Sequence, residues 1–144
     1  MSLRDLLSIF PDANDDQISA IDSIRSFLIA KWAQNSPLLI VAPNSRIADL
    51  LKSELESISE FPVSEFLAWE TLPHERLSPS GDTVAKRITT LQALQDTSRN
   101  WVVVAPIRAV IHKFNSQIIN TNPILLDRGL EFDLTELQRQ LVAF

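Results

Sequence analysis

Apolar and polar positions alternate along this chain in three registers, and each predicts a different element. Residues 2–10 (SLRDLLSIF) place Leu3, Leu6, Leu7 and Phe10 at helical spacing, and Pro11 closes the run. After a PDANDD loop, QISAI (17–21) alternates briefly and reads as a short strand. A helix SIRSFLIAKWAQ follows, capped by Asp22 or Ser23, with Ile24, Phe27, Leu28 and Trp32 on its apolar face. A single helix over 16–34 is the competing reading. LLIVA (38–42) and WVVVA (101–105) are continuous apolar runs of strand length, the pattern of strands covered on both faces of a parallel sheet. VSEFL (63–67) supplies a further strand.

Between these strands lie two amphipathic helices. After the turn PNS, RIADLLKSELESI carries Ile47, Leu50, Leu51, Leu55 and Ile58 on one stripe. TVAKRITTLQAL, with Asp82 as N-cap, turns Val84, Ile88, Leu91 and Leu94 inward. Strand, helix, strand, helix, strand is an α/β order, and it predicts a parallel sheet flanked by helices. From about residue 115 the character changes to an Asn/Pro-rich link, a short strand PILLD, a turn at Arg128–Gly129 and a helix from Asp133. That helix places Leu134, Leu137 and Leu141 on one side and reaches Phe144 without a C-cap signal, as expected of a chain cut within a longer protein.

Composition narrows the function. The 144 residues suit one compact domain, and 13 basic against 18 acidic side chains lack the counterion-displacing surface of a primary nucleic-acid binder. Without cysteine there is no disulfide framework, thiolate nucleophile or cysteine zinc site, and two histidines, His74 and His112, are too few to define a metal centre. No signal peptide and no run of roughly 20 apolar residues is present, so a cytoplasmic chain is expected.

A P-loop requires GxxxxGK[ST] after the first strand, because glycines admit main-chain N–H groups to the phosphates and the lysine reaches the terminal ones. The corresponding position here, Asp22, Ser23, Ile24, Arg25 and Ser26, holds neither glycine nor lysine. The other chemistry-bearing stretch is FLAWETLPHERLSPSGDTVAKR (66–87). His74 stands beside Glu75 and near Glu70, but no nucleophile elbow accompanies them. Trp69 reads either as an aromatic anchoring the loop or as a stacking platform for a base or a partner side chain. Arg76 has Glu70 and Glu75 as local partners, or clamps an anion. Lys86 and Arg87 lie early in a helix, where the macrodipole disfavours cations, and this suggests a role beyond helix stability.

The run W-E-T-L-P-H-E-R-L-S-P-x-x-D-T-V-x-x-R, from Trp69 to Arg87, together with PLLIVAPNSRIADLLKSEL before it and WVVVAPIRAVIHKF after it, closely resembles the N-terminal, UvrB-like module of the bacterial transcription-repair coupling factors. The resemblance covers residues 17–114 well and 115–144 loosely. It implies a UvrB-like, helicase-like subdomain over 16–114 whose P-loop has decayed, preceded by a helix and linker over 1–15. Residues 115–144 then form a link and the start of an inserted UvrA-binding domain. Family members are ATP-dependent DNA translocases that displace stalled RNA polymerase and recruit UvrA. Their motor, with its ATP and Mg²⁺, and their polymerase- and DNA-contacting parts lie outside this segment. The segment itself is expected to hold no cofactor or metal and to be a non-catalytic scaffold. Trp69, Glu70, His74, Glu75, Arg76, Lys86 and Arg87 are its candidate interface. In UvrB the equivalent loop is longer and tyrosine-rich and handles lesions; here Trp69 is the sole aromatic after Phe66, and that role is expected to be lost.

Overall fold

The computed structural model describes residues 7, 10, 17–71, 78–96, 98–113, 124, 126–129, 131 and 133–143. The chain forms two compact units, Met1–Lys113 and Phe114–Phe144. Most of the helix expected over 2–10 lies outside the described residues; within it Leu7 is helical and buried.

In the first unit, β1 (Leu38–Ala42), β2 (Val63–Glu65) and β3 (Val102–Pro106) form a parallel sheet in the order β1-β3-β2. Leu38 pairs with Val102 on one side of β3, and Val63 pairs with the same Val102 on the other. Helices α1 (Asp22–Trp32) and α2 (Ser45–Ile58) build one layer; α3 (Gly81–Ala93) and the short α4 (Ile107–Ile111) build the other. The fold is therefore the expected α/β sheet flanked by helices.

Central position explains why β3 is buried along its whole length. Val102 and Val104 pack with Ile29, Ala48, Leu51 and Leu55 from α1 and α2, while Val103 and Ala105 pack with Phe66, Ala109 and Leu91 on the opposite face. Strand alternation sends successive side chains to opposite faces, so an unbroken VVVA run is the sequence of a strand with a helical layer on each side. The apolar stripe of α2 behaves as its spacing predicts. Ala48, Leu51 and Leu55 are buried, Ile47 and Ile58 are half-buried, and Leu50 is 54% exposed at the margin. Asn44 starts that helix by accepting the Ile47 N–H at 3.0 Å.

The structure departs from expectation at several points. Gln17–Ala20 have no regular structure, and no strand forms there. A strand needs a ladder partner, and among the described residues only β1, β2 and β3 supply one. The helix that follows begins at Asp22, which sits in its first turn, not at the cap; Ile21 precedes it in extended conformation with no capping side chain. Its buried face is Ser26, Leu28, Ile29 and Ala30, while Ile24, Phe27 and Trp32 are half-buried. Asn100 closes the other end, its amide donating to the carbonyls of Ala33 at 2.9 Å and Gln34 at 3.1 Å.

β1 is covered on one face only, with Leu39 53% and Val41 45% exposed. It stands at the sheet margin, where the second helical layer does not extend over these two side chains. On α3, Ser80 and not Asp82 is the N-cap, accepting the Thr83 N–H at 3.2 Å. The fully buried residues of α3 are Thr83, Arg87 and Thr90, with Val84, Ile88, Leu91 and Leu94 half-buried beside them.

In the second unit, Arg128 and Gly129 make the expected turn, and Gly129 adopts φ +92, a conformation that side chains resist. Helix α5 (Leu134–Ala143) follows, its start held by the Asp133 carboxylate accepting the Thr135 N–H at 2.8 Å. The described residues of PILLD, which are Ile124, Leu126 and Asp127, are not in a strand.

Candidate functional site

The segment at the P-loop position lies at the start of α1. Asp22–Ser26 form the opening turn of α1, and Arg25 is held by Asp22 at 2.8 Å. Beside them opens a cavity of about 490 Å³ lined by Gln17, Ser19 and Arg25 together with apolar side chains such as Leu28, Trp32 and Val41. A phosphate cradle needs convergent main-chain N–H groups and an uncommitted cation. Here the walls are mixed, polar side chains standing beside apolar ones, and Arg25 is paired to a neighbouring acid.

The 66–87 stretch is organised by α3. Its turn-to-turn spacing brings Thr83, Arg87 and Thr90 onto one face, which meets the outer edge of β2 and the chain that leaves it. Thr90 Oγ1 donates to the Glu65 carbonyl at 3.1 Å, and an Arg87 Nη1 N–H donates to the Leu67 carbonyl. These two carbonyls lie two residues apart and point away from β3, so α3 satisfies main-chain acceptors that an edge strand otherwise leaves open.

Arg87 is only 2% exposed. Its Cζ lies 3.9 Å from the ring centroid of Phe66 and 4.2 Å from that of Trp69. Burial lowers the guanidinium pKa from its ordinary value, yet it stays charged, and the two aromatic faces compensate part of the lost hydration. Its Nη2 is buried and makes no hydrogen bond.

Glu70 anchors the far end of the segment. Its carboxylate accepts the Ser80 N–H at 3.0 Å, the Ser80 hydroxyl at 2.9 Å, and the Thr83 hydroxyl. These hydrogen bonds, led by the one from Thr83, hold its pKa below the ordinary value. A carboxylate thus occupies the start of α3, where orphan N–H groups and the macrodipole favour an anion. Lys86 reaches back to Asp82 at 2.7 Å on the exposed side of the helix, and this pairing raises its pKa. Of the sequence-predicted residues, the structure therefore brings Trp69 and Arg87 together, gives Glu70 to α3, and leaves Lys86 at the surface. His74, Glu75 and Arg76 lie outside the described residues.

Sequence reasoning missed Phe66, Ser80, Thr83 and Thr90 as members of this arrangement. Their signal was present as S-x-x-T-x-x-x-R-x-x-T, a polar stripe at helical spacing following an F-x-x-W-E segment. It also missed Glu65. That side chain lines a cavity of about 440 Å³ with Lys52, Ser64, Lys86 and Thr89. Burial raises its pKa, Asp49 adds to the rise through its charge and a hydrogen bond, and Lys52 and Lys86 oppose it. Among the described residues no group of three or more acids or histidines is placed to hold a metal ion, and no helix is long and apolar enough to cross a membrane.

Fold and site together define, among the described residues, a three-stranded parallel α/β module with a loop fastened to its third helix. No protein-family model matches the chain. Among curated proteins it is similar to the transcription-repair-coupling factor of Mycobacterium bovis, 33% identical over 126 residues, which is 83% of this chain and 10% of that protein. The transcription-repair-coupling factors of Haemophilus influenzae (29% over 123 residues, 85% of this chain and 11% of that protein) and Escherichia coli (25% over 117 residues, 79% and 10%) are similar as well. The chain thus spans about a tenth of the length of these relatives. It is related over most of its own length to the transcription-repair-coupling factors, as the Trp69–Arg87 run indicates.

Proposed function

We propose that this chain is a non-catalytic, UvrB-like scaffold segment of a transcription-repair coupling factor, with residues 16–114 as the α/β subdomain and 115–144 opening the UvrA-binding domain. In this reading it acts in the cytoplasm and positions that inserted domain, which makes most of the UvrA contact. It also packs against other domains of the parent protein and restrains the motor. RNA polymerase, DNA, and ATP with Mg²⁺ are handled by parts of the parent outside this segment.

The observation that carries the reading is the P-loop corner. Asp22–Ser26 make an ordinary helical turn, Arg25 is paired with Asp22, and the adjoining cavity mixes apolar side chains with Gln17 and Ser19. Such a corner lacks the glycines that let the backbone wrap a phosphate and the lysine that reaches its terminal oxygens. Calorimetric titration with Mg–ATP and a thermal-shift assay test it. No heat and no change in Tm are expected. Saturable binding at micromolar concentration overturns the non-catalytic reading. Steeply salt-dependent DNA binding by this chain would instead assign it a nucleic-acid role.

A further inference from the structure

The chain leaves the sheet after Phe66, whose N–H still donates to the Val104 carbonyl at 2.9 Å. From Leu67 to Thr71, among the described residues, no main-chain hydrogen bond joins the segment to a neighbouring element. Among the described residues it is fastened by the side chains of Ser80, Thr83 and Arg87 from the first half of α3 and its cap, with Ala68 packed against the cluster that includes Phe66 and Val103. Arg87 holds the Leu67 carbonyl and lies against Trp69, while Ser80 and Thr83 hold Glu70. We propose that Leu67–Thr71 is a strap that detaches from α3 as one unit while the sheet beneath stays closed.

Three features make release a discrete step. The Leu67 hydrogen bond and both aromatic contacts share a single guanidinium, so an outward swing of Arg87 breaks them together. That swing hydrates Nη2, which the closed arrangement leaves buried without a partner. On the sheet side release must also break the packing of Ala68 against the cluster of Phe66, Val103, Ala105 and Ala109, but the ladder of β1, β3 and β2 contains none of the strap's residues. Release uncovers Trp69 and the Leu67 carbonyl beside the β2 margin, while Thr90 still holds the Glu65 carbonyl. The strap stands independently of the proposed scaffold role.

Native-state hydrogen exchange resolved by residue tests it. The Ser80 amide, bonded to Glu70, reports the strap, while the Phe66 amide, bonded to Val104, and the Val102 amide, bonded to Pro62, report the sheet beside it. A strap predicts that Arg87→Met accelerates Ser80 by about tenfold or more, while Phe66 and Val102 change only together with the global rate. The Ser80 response is diagnostic, since Arg87 does not touch that amide. If Ser80 does not accelerate, or all three amides shift by one common factor, there is no separable strap. Trp69→Leu provides a second variant with the same expectation. In the unmutated chain, equal protection of Phe66, Ser80 and Val102 would likewise overturn the proposal.

Discussion

Arg87 and Trp69 bracket the most distinctive stretch of this chain and meet inside the fold, the guanidinium carbon 4.2 Å from the indole ring centroid. Arg87 lies in the middle of α3, beyond the first turn where the macrodipole opposes a cation, so the conflict expected from the sequence does not arise. Its side chain serves the segment opposite, supplying a planar donor to the Leu67 carbonyl and a flat face to two aromatic rings.

That geometry separates arginine from lysine. Arg87→Lys keeps a charge but loses the plane, and is expected to destabilise the first unit by about 1–2 kcal/mol, within the range of a buried cation–π contact and an imperfect hydrogen bond. Arg87→Ala also removes the packing of the stem and is expected to cost about 2–4 kcal/mol. Urea denaturation followed by tryptophan fluorescence measures both. A lysine variant as stable as the parent would contradict the stacked arrangement.

Ser80 and Asp82 both suit the start of α3, and the structure chooses Ser80. Ser80→Ala should therefore cost about 1 kcal/mol, the usual worth of an N-cap, while Asp82→Ala, which breaks only an exposed pair with Lys86, should fall within about 0.5 kcal/mol of the parent. Thermal unfolding of the two variants reads the difference, and the reverse order would place the cap at Asp82.

Two carboxylates give opposite pH responses. Glu65 has a folded pKa raised from its ordinary 4.5 by burial and by Asp49. Its contribution favours the fold at acid pH and is lost as pH rises through the raised value. Glu65→Gln should therefore gain stability relative to the parent above that range and little below it. Glu70 has a lowered pKa, so its contribution is present above 4.5 and disappears as pH falls through the depressed value. Glu70→Gln should lose stability at neutral pH and converge with the parent in acid. Tm profiles of both variants between acid and neutral pH check the signs; parallel curves for either variant would refute its assignment.

The core has a clear centre of gravity on α2. Leu55 is fully buried against β3, so Leu55→Ala should cost about 2–5 kcal/mol, whereas Leu50→Ala, at the exposed margin of the same stripe, should stay within about 0.5–1 kcal/mol. Equal losses in denaturation experiments would mean that the helix face is assigned wrongly.

Much of the architecture could be read from pattern because apolar burial is periodic. LLIVA, WVVVA and the stripe of RIADLLKSELESI each announce their element. The same signal did not reveal that WVVVA is central and LLIVA marginal, since both runs are equally apolar and the difference lies in sheet order. QISAI alternates like a strand but finds no ladder partner among the described residues, and α4 is too short for its periodicity to register. The loop and α3 were misread for a further reason. Apolar spacing placed Val84, Ile88, Leu91 and Leu94 inward, yet the most buried face of α3 is Thr83, Arg87 and Thr90, whose partners are main-chain carbonyls and a carboxylate. Main-chain acceptors have no sequence signature, so a polar stripe that faces them looks solvent-exposed until the fold is known.

The account's central claim is that this segment is a scaffold and that its distinctive loop serves internal fastening. Equilibrium binding of purified UvrA, measured in parallel to this 144-residue chain and to a version extended through the complete inserted domain, tests that claim most directly. The account predicts binding by the extended version alone, unaffected by Lys86→Glu on the exposed side of α3. Comparable binding by the 144-residue chain, weakened by that charge reversal, would contradict it.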